Sequence, residues 1–360
     1  MLLFCCYFKI TIMKGFRGNF CVLPNLFILI YVFLKMEKNN IYDFAIIGAG
    51  GSGLAAGMYG ARLGLKTIIF GTTSGSELPV GGLITTAHLV ENYPGFKSIT
   101  GMELAKKIEE HTRDYSLATI KNEKVIEVIK KIDCFSIKTN KAEYHCAAVL
   151  FATGRKIRKL NIPGSKEFEG KGINYCALCD GPLYKDKTVA VIGGSDSAAA
   201  ESLILAEYAK KVYIIYRGGK IRAEPINIDK IENNKKIEII TNTNVIGVEG
   251  KDFVEKAVLD KPYNGKKELH LDAVYVAIGN EPINEVAKNL GVRLNDKGEI
   301  IIDHMNSSTN IPGVYAAGDV TNKTFKQLIV GVSEGVLAAH SAYEYISEKK
   351  LKGCRVVKEK

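Results

Sequence analysis

The stretch IYDFAIIGAGGSG, residues 41–53, decides the fold. It opens as an apolar run, passes into glycines and small residues, and leads into a helix-like stretch at 54–63 and a second apolar run, TIIF, at 67–70. Strand, glycine turn, helix and strand make one βαβ unit. Inside the turn, Gly48, Gly50 and Gly53 stand in the order G-x-G-x-x-G at the junction of strand and helix. The first glycine permits the tight turn, and the second lets the backbone approach a pyrophosphate. The third lets helix and strand pack closely, so that the helix N-terminus faces the anion. This pattern, flanked by the right elements, predicts a dinucleotide site. An acid is expected about 20 residues on to hold a ribose hydroxyl, but the second strand ends Phe70-Gly71-Thr72-Thr73. The loop alone therefore leaves open which dinucleotide binds.

The same order returns with a strand at 188–192, a turn at 193–197, a helix at 198–208 and a strand at 212–216. Here the fingerprint reads Gly193, Ser195 and Ala198, and the second strand ends in Tyr216-Arg217, with Arg222 following. A guanidinium in place of the usual carboxylate suits a 2′-phosphate, which it can bind in bidentate fashion, so NADPH is preferred to NADH. Two solvated arginines on a loop are the alternative. Two such units about 145 residues apart, with no low-complexity linker between them, predict an α/β protein. It should contain two Rossmann-like, three-layer nucleotide-binding domains. The strand-like runs VLFATG (149–154) and VYVAIG (274–279) bracket the second unit and are where the chain is expected to cross between domains.

Eight cysteines occur, at 5, 6, 21, 134, 146, 176, 179 and 354. So few in so large a body make no disulfide framework and point to a reducing compartment, the cytoplasm. Cys176 and Cys179 stand out, because a spacing of three on the first turn of a helix brings both sulfurs to one face, and a helix N-terminus favours the thiolate. No second close pair of Cys or His completes a zinc site, so no metal is expected. Asp180 follows directly, where a carboxylate can shuttle the proton a leaving thiolate needs; a solvated Asp at a helix start is the plain alternative. Two dinucleotide sites and a dithiol describe an electron path. A nicotinamide delivers a hydride and a disulfide accepts electrons by thiolate exchange, so a flavin between them is the natural intermediate.

Composition agrees with a globular enzyme. The 360 residues are 46% hydrophobic and 24% charged, which excludes whole-chain disorder or a collagen-like chain. The net charge of +10 invites a nucleic-acid reading, but Lys and Glu are interspersed with no block of five like charges, so no nucleic-acid partner is expected. Four basic residues and no acid lie in residues 1–35, so the rest carries only +6. That segment holds the run LFILIYVFL (26–34), too short for a confident span and lacking a cleavage site. Met36, heading MEKNNIYDFAIIGAG, reads as the start of a chain without a membrane anchor.

Taken together these residues resemble the low-molecular-weight thioredoxin reductases. GAGGSG, VENYPGF (90–96), FATG, CALCDG, the 217–222 segment, AIG and IPGVYAAGDV (311–320) fall in family order across residues 41–345. The resemblance implies FAD in a discontinuous domain and NADPH in a domain inserted within it. The expected layout is an extension at 1–35, the first part of the FAD domain at 36–156, the NADPH domain with its CxxC at 157–279, and the second part of the FAD domain at 280–360. It implies FAD contacts from Gly48, Gly50, Gly53, Asn92, Gly318, Asp319 and Gln327, and NADPH contacts from Gly193, Ser195, Arg217 and Arg222. It further implies catalysis by Cys176, Cys179 and Asp180, a homodimer, and a thioredoxin or thioredoxin-like protein as substrate. Three departures touch the sites: Tyr216-Arg217-Gly218 where the family has His-Arg-Arg, Leu83 after Gly81-Gly82 where it has Gln, and Ser195 for Gly. Ser195 and Gly218 keep open a disulfide reductase fed by NADH or ferredoxin, and the apolar run at 26–34 keeps open a membrane-tethered FAD-binding protein without turnover.

Overall fold

The computed structural model describes residues 40–72 and 79–349. The apolar run at 26–34 and the start at Met36 lie outside them, as do Cys5, Cys6, Cys21 and Cys354. The chain begins with β1 (Ile41–Ile47), α1 (Gly51–Arg62), β2 (Thr67–Gly71), α2 (Gly101–Arg113), β3 (Ala118–Asn122), β4 (Val125–Lys130), β5 (Phe135–Thr139) and β6 (Glu143–Phe151). There follow β7 (Arg155–Ile157), β8 (Ile173–Asn174), α3 (Ala177–Asp180), a 3-10 turn (Gly181–Tyr184), β9 (Thr188–Ile192), α4 (Asp196–Tyr208), β10 (Lys211–Ile215), α5 (Pro225–Glu232) and β11 (Ile237–Ile240). The remainder is β12 (Val245–Gly250), β13 (Val254–Tyr263), β14 (Lys266–His270), β15 (Ala273–Val276), β16 (Asn280–Pro282), α6 (Glu285–Asn289), β17 (Val314–Ala316) and α7 (Leu328–Glu348).

The first sheet has the order β3-β2-β1-β6-β5-β4, with β17 returning to pair β6 in parallel. Side chains alternate across a strand, and β1 is apolar on both faces because both are covered. Phe44 and Ile46 join Leu54 of α1 and Ala338, Ala339 and Ala342 of α7 in one core. Ala45 and Ile47 face the other, with Val128, Ile137, Ala287 and Ile300. Each large side chain so buried contributes about 1.5–3 kcal/mol. The seam between α1 and α7 is lined by small residues, and a Cβ at Gly335 would lie 2.2 Å from the Ser52 carbonyl.

The second sheet, β11-β10-β9-β15-β8, is parallel throughout. One face packs against the antiparallel β12-β13-β14 meander through Val248, Ala257 and Leu259. The other packs against α4 through Ala198, Leu205 and Ala206. Because β17 and α7 rejoin the first sheet after the second is complete, the second module is an insertion in the first. The runs at 149–154 and 274–279 end the core strands β6 and β15. The crossing itself is made just beyond them by β7 and β16, which pair antiparallel with Asn280 opposite Ile157 and Pro282 opposite Arg155.

Candidate active site

The turn after β1 forms a cradle too tight for side chains. Gly48 has φ +111, and a Cβ there would sit 2.2 Å from the Ala152 carbonyl oxygen. At Gly53 a Cβ would lie 1.9 Å from the Gly48 oxygen, so the third glycine is what lets α1 start directly against the turn. Gly50 forms a bridge to Gly81, beside which a Cβ on Gly82 would meet the Gly50 Cα at 2.9 Å. These backbones open onto a cleft of about 520 Å³ whose lining includes Gly48, Gly50, Asp319 and Gln327. The Asn92 amide donates to the Gln327 side-chain oxygen at 3.2 Å, joining two expected contact residues that stand 235 apart in sequence. Gly53 sits behind the lining, and Gly318 is held through its N–H by the Glu334 carboxylate at 2.8 Å. Leu83, where a Gln was expected, also lines the cleft.

Beside Asp319 lies a charge cluster that sequence reasoning missed. Arg155 pairs with Glu299 and donates from Nε to the Asp319 carbonyl at 2.8 Å, while Lys326 lies 3.4 Å from the same Glu299 carboxylate. Burial would raise Glu299, but the Asn295 hydrogen bond and the Lys326 and Arg155 charges hold it below the ordinary carboxylate range. Burial pushes the Asp319 carboxyl up against the pull of Arg155 and Lys326, and burial with the Arg155 charge lowers Lys326. Arg155 carried a weak signal as the residue after FATG. Glu299 and Glu334, from a loop and a helix face, carried none.

On the inserted module, Gly193 has φ +150 and a Cβ there would sit 2.3 Å from the Ala277 carbonyl, so the first fingerprint glycine is required. Ser195 has φ −98 and ψ 179, ordinary extended backbone, so its Cβ brings no strain. Arg222 is brought to this loop by its N–H, which donates to the Gly194 carbonyl at 2.7 Å, and by the bridge between Ser195 and Arg222. The Tyr216 ring packs on Gly194 and Gly218, with the Arg222 guanidinium 5.9 Å from its centroid. Arg217 is exposed beside it, and neither arginine has an ion-pair partner among the described residues. Ser195 and Ser197 also line the cleft that holds Gly48, so the second loop faces the first across it.

Cys176 and Cys179 form a disulfide with their Cα atoms 5.3 Å apart. Cys176 is the residue before α3, and its sulfur accepts the Cys179 N–H at 3.2 Å. The expected helix is thus a single turn running into a 3-10 turn, so the backbone dipole behind the pair is smaller than a full helix would supply. Cys179 is exposed, Cys176 and Asp180 are half-buried, and neither cysteine lines the cleft among the described residues. Cys146 is fully buried, and burial pushes its thiol up, which keeps it inert.

The profile of the family described as "Pyridine nucleotide-disulphide oxidoreductase" matches residues 42–335. A "34.2 kDa protein in rubredoxin operon" of Clostridium pasteurianum is 38% identical over 87% of this chain and 100% of its own. The thioredoxin reductase of Bacillus subtilis is 35% identical over 87% of this chain and 97% of its own. The crystal structure of Lactococcus lactis thioredoxin reductase superposes with a TM-score of 0.80 at 34% identity, covering 85% of this chain and 99% of that one. Likeness over this span carries with it a flavin and a pyridine nucleotide as working groups. Fold, glycine cradles and cysteine pair agree with it: the chain belongs to the pyridine nucleotide-disulphide oxidoreductases, on the branch of the low-molecular-weight thioredoxin reductases.

Proposed function

We propose that this chain is a thioredoxin-disulfide reductase. It would carry electrons from NADPH through FAD and the Cys176–Cys179 pair to the disulfide of a thioredoxin-like protein. The observation that carries this reading is the placing of a dinucleotide loop and a disulfide on one inserted module joined to the rest by the two-strand β7–β16 ribbon. The glycine cradle has room for a pyrophosphate and no room for side chains, which suits FAD held by Gly48, Gly50, Gly53, Asn92, Gly318, Asp319 and Gln327. Gly193, Ser195, Arg217 and Arg222 would hold NADPH, the unpaired guanidinium groups taking the 2′-phosphate.

Bound FAD supplies the step that protein side chains cannot, accepting a hydride and passing two electrons on to a disulfide. The loop at Ser195 faces the cleft while the cysteines do not, so the module would turn about the β7–β16 ribbon to exchange one for the other. Arg155, at the start of β7, is tied to Glu299 and the Asp319 backbone and anchors the ribbon to the cleft side. Once the pair is reduced, one thiolate would attack the partner's disulfide and the other break the mixed disulfide, with Asp180, next in sequence, as the acid that would protonate the leaving sulfur. The balance is NADPH, one proton and a disulfide giving NADP⁺ and a dithiol.

The layout that fits is an FAD domain at 36–156 and 280–360 around an NADPH domain at 157–279, with both borders falling at the ribbon. A cytoplasmic homodimer is proposed with it. Among the described residues no helix is long and apolar enough to cross a membrane. The test is anaerobic titration of the flavin with NADPH and with NADH, followed by NADPH oxidation with a panel of thioredoxins. Flavin that bleaches with NADPH and turns over with a thioredoxin is expected. Flavin that stays oxidised in NADPH, or bleaches equally well with NADH, refutes the donor assignment.

A further inference from the structure

The inserted module is joined to the rest of the chain by the β7–β16 ribbon, and two strands by themselves leave rotation about the ribbon free. One contact away from the ribbon bears on that angle. Lys230 of α5, on the inserted module, lies 3.6 Å from the carboxylate of Glu91, on the first module between β2 and α2. Each partner is tied to a different glycine loop. Glu91 follows Val90, which is buried with Ile99 and Leu104 and exchanges two backbone hydrogen bonds with Ile99, at 2.8 and 3.2 Å. It precedes Asn92, whose amide donates to Gln327 in the lining of the cleft. On the other side, α5 is held to the Ser195 loop by Asp196, whose Oδ1 accepts from the Glu224 N–H at 3.0 Å and the Asn227 amide at 2.8 Å. Lys230 is three residues beyond Asn227 and shares its face of the helix. The ion pair therefore runs from a segment fixed to the first glycine cradle to a helix fixed to the Ser195 loop, and those two loops face each other across the cleft.

We infer that Glu91 and Lys230 are positioning residues for the nucleotide loop: their ion pair is a latch, set off the hinge, that favours the orientation with Ser195 at the cleft. Both side chains are about half exposed, Lys230 at 46% and Glu91 at 54%. Such a pair is weak and is screened by salt. The weakness suits the role. A module that must turn to bring the cysteines to the cleft needs a contact that lets go in every cycle, and a broad apolar interface would resist release. Removing either charge leaves both loops intact and should raise the fraction of turned molecules by about 2- to 5-fold.

This inference rests on reading the Ser195 loop as a nucleotide site on a turning module. Its test uses neither NADPH nor a thioredoxin, so the latch and the donor assignment can fail separately. Hydrogen exchange of the protein as purified is followed by mass spectrometry at about 20 mM and about 500 mM KCl. The peptides read are 81–87 and 193–199, which line the cleft from its two sides. At low salt Glu91→Gln and Lys230→Gln should each speed exchange in these peptides by about 2- to 5-fold, because amides covered by docking exchange through the turned state. Glu91→Lys combined with Lys230→Glu reverses the pair and should restore slow exchange. At high salt all four proteins should converge. Equal exchange in all four at low salt overturns the inference. So does a reversed pair that exchanges as fast as the single variants, or faster exchange spread evenly along the chain, as a general loss of stability would give.

Discussion

Replacing Gly53 by Ala sets two effects of opposite sign against each other. As the third residue of α1, Gly53 costs helix stability, and Ala would on that ground add about 1 kcal/mol. The tertiary structure opposes it, because the new Cβ would lie 1.9 Å from the Gly48 oxygen and 3.2 Å from Ile46 Cγ2. The nearer atom is backbone and cannot rotate away, so α1 must lift from β1 by about 1 Å. It cannot do so freely, since Gly51 and Ser52 already rest on Leu328 and Gly335 of α7. Overpacking of this kind costs about 3 kcal/mol; with the helix gain subtracted, about 2 kcal/mol remains, or roughly a 4 °C fall in Tm for a chain of this size. The same shift widens the turn that should hold a pyrophosphate, so flavin absorbance per chain should fall below one equivalent. Gly64→Ala is the control: φ is +86 but nothing lies within 4 Å, so it should cost about 1 kcal/mol of backbone strain and keep its flavin. A Gly53→Ala protein with full flavin and an unchanged or higher Tm would show that the close approach of helix and turn is not what Gly53 secures.

Cys176→Ser should leave flavin reduction by NADPH intact but cut reduction of a thioredoxin by about 100-fold or more, since a single thiol cannot resolve a mixed disulfide; retained turnover would remove Cys176 from the chemistry. Arg222→Ala removes one charge-assisted hydrogen bond to a 2′-phosphate and should raise KM for NADPH by about 10- to 100-fold with KM for NADH unchanged. Equal effects on both nucleotides would place Arg222 elsewhere in the site. Glu201 makes stability depend on pH. Its folded value of about 8 exceeds the ordinary 4.5, so its contribution is fully present below 4.5 and lost as pH rises towards 8, by up to about 5 kcal/mol. Glu201→Gln should therefore raise Tm at pH 9 more than at pH 6, and an unchanged difference would show the carboxyl to be hydrated in solution.

Local spacing carried the two βαβ units, because a glycine turn between an apolar strand and a helix is specified within about a dozen residues. The cysteine pair was equally legible, since its members are three apart and their partner is each other. Residues joined only by folding were legible through resemblance alone: Asn92 and Gln327 meet across 235 positions, and no periodicity links them. The Arg155–Glu299–Lys326 cluster escaped because its members come from a ribbon, a loop and a helix approach, each an ordinary surface charge in isolation. Glu201, the one charged residue in the stretch SAAAESLIL, drew no reading from the sequence, because its burial depends on what packs over α4. The helix expected behind the cysteines shortened to one turn because Gly181-Pro182 carries the chain into a 3-10 turn.

By itself, then, the sequence determined two nucleotide-binding units, a dithiol and the order in which they come. Each follows from short-range sterics: where φ must be positive, where a Cβ cannot fit, how far apart two sulfurs lie. The tertiary structure alone decided that the Ser195 loop faces the first cradle while the cysteines do not. It also decided which charges surround Asp319 and that the Glu201 carboxyl is buried on α4 with one oxygen unpartnered. Those outcomes depend on how two sheets are set about one ribbon, and burial and charge proximity, which fix the chemistry of a carboxyl, exist only once distant segments have packed.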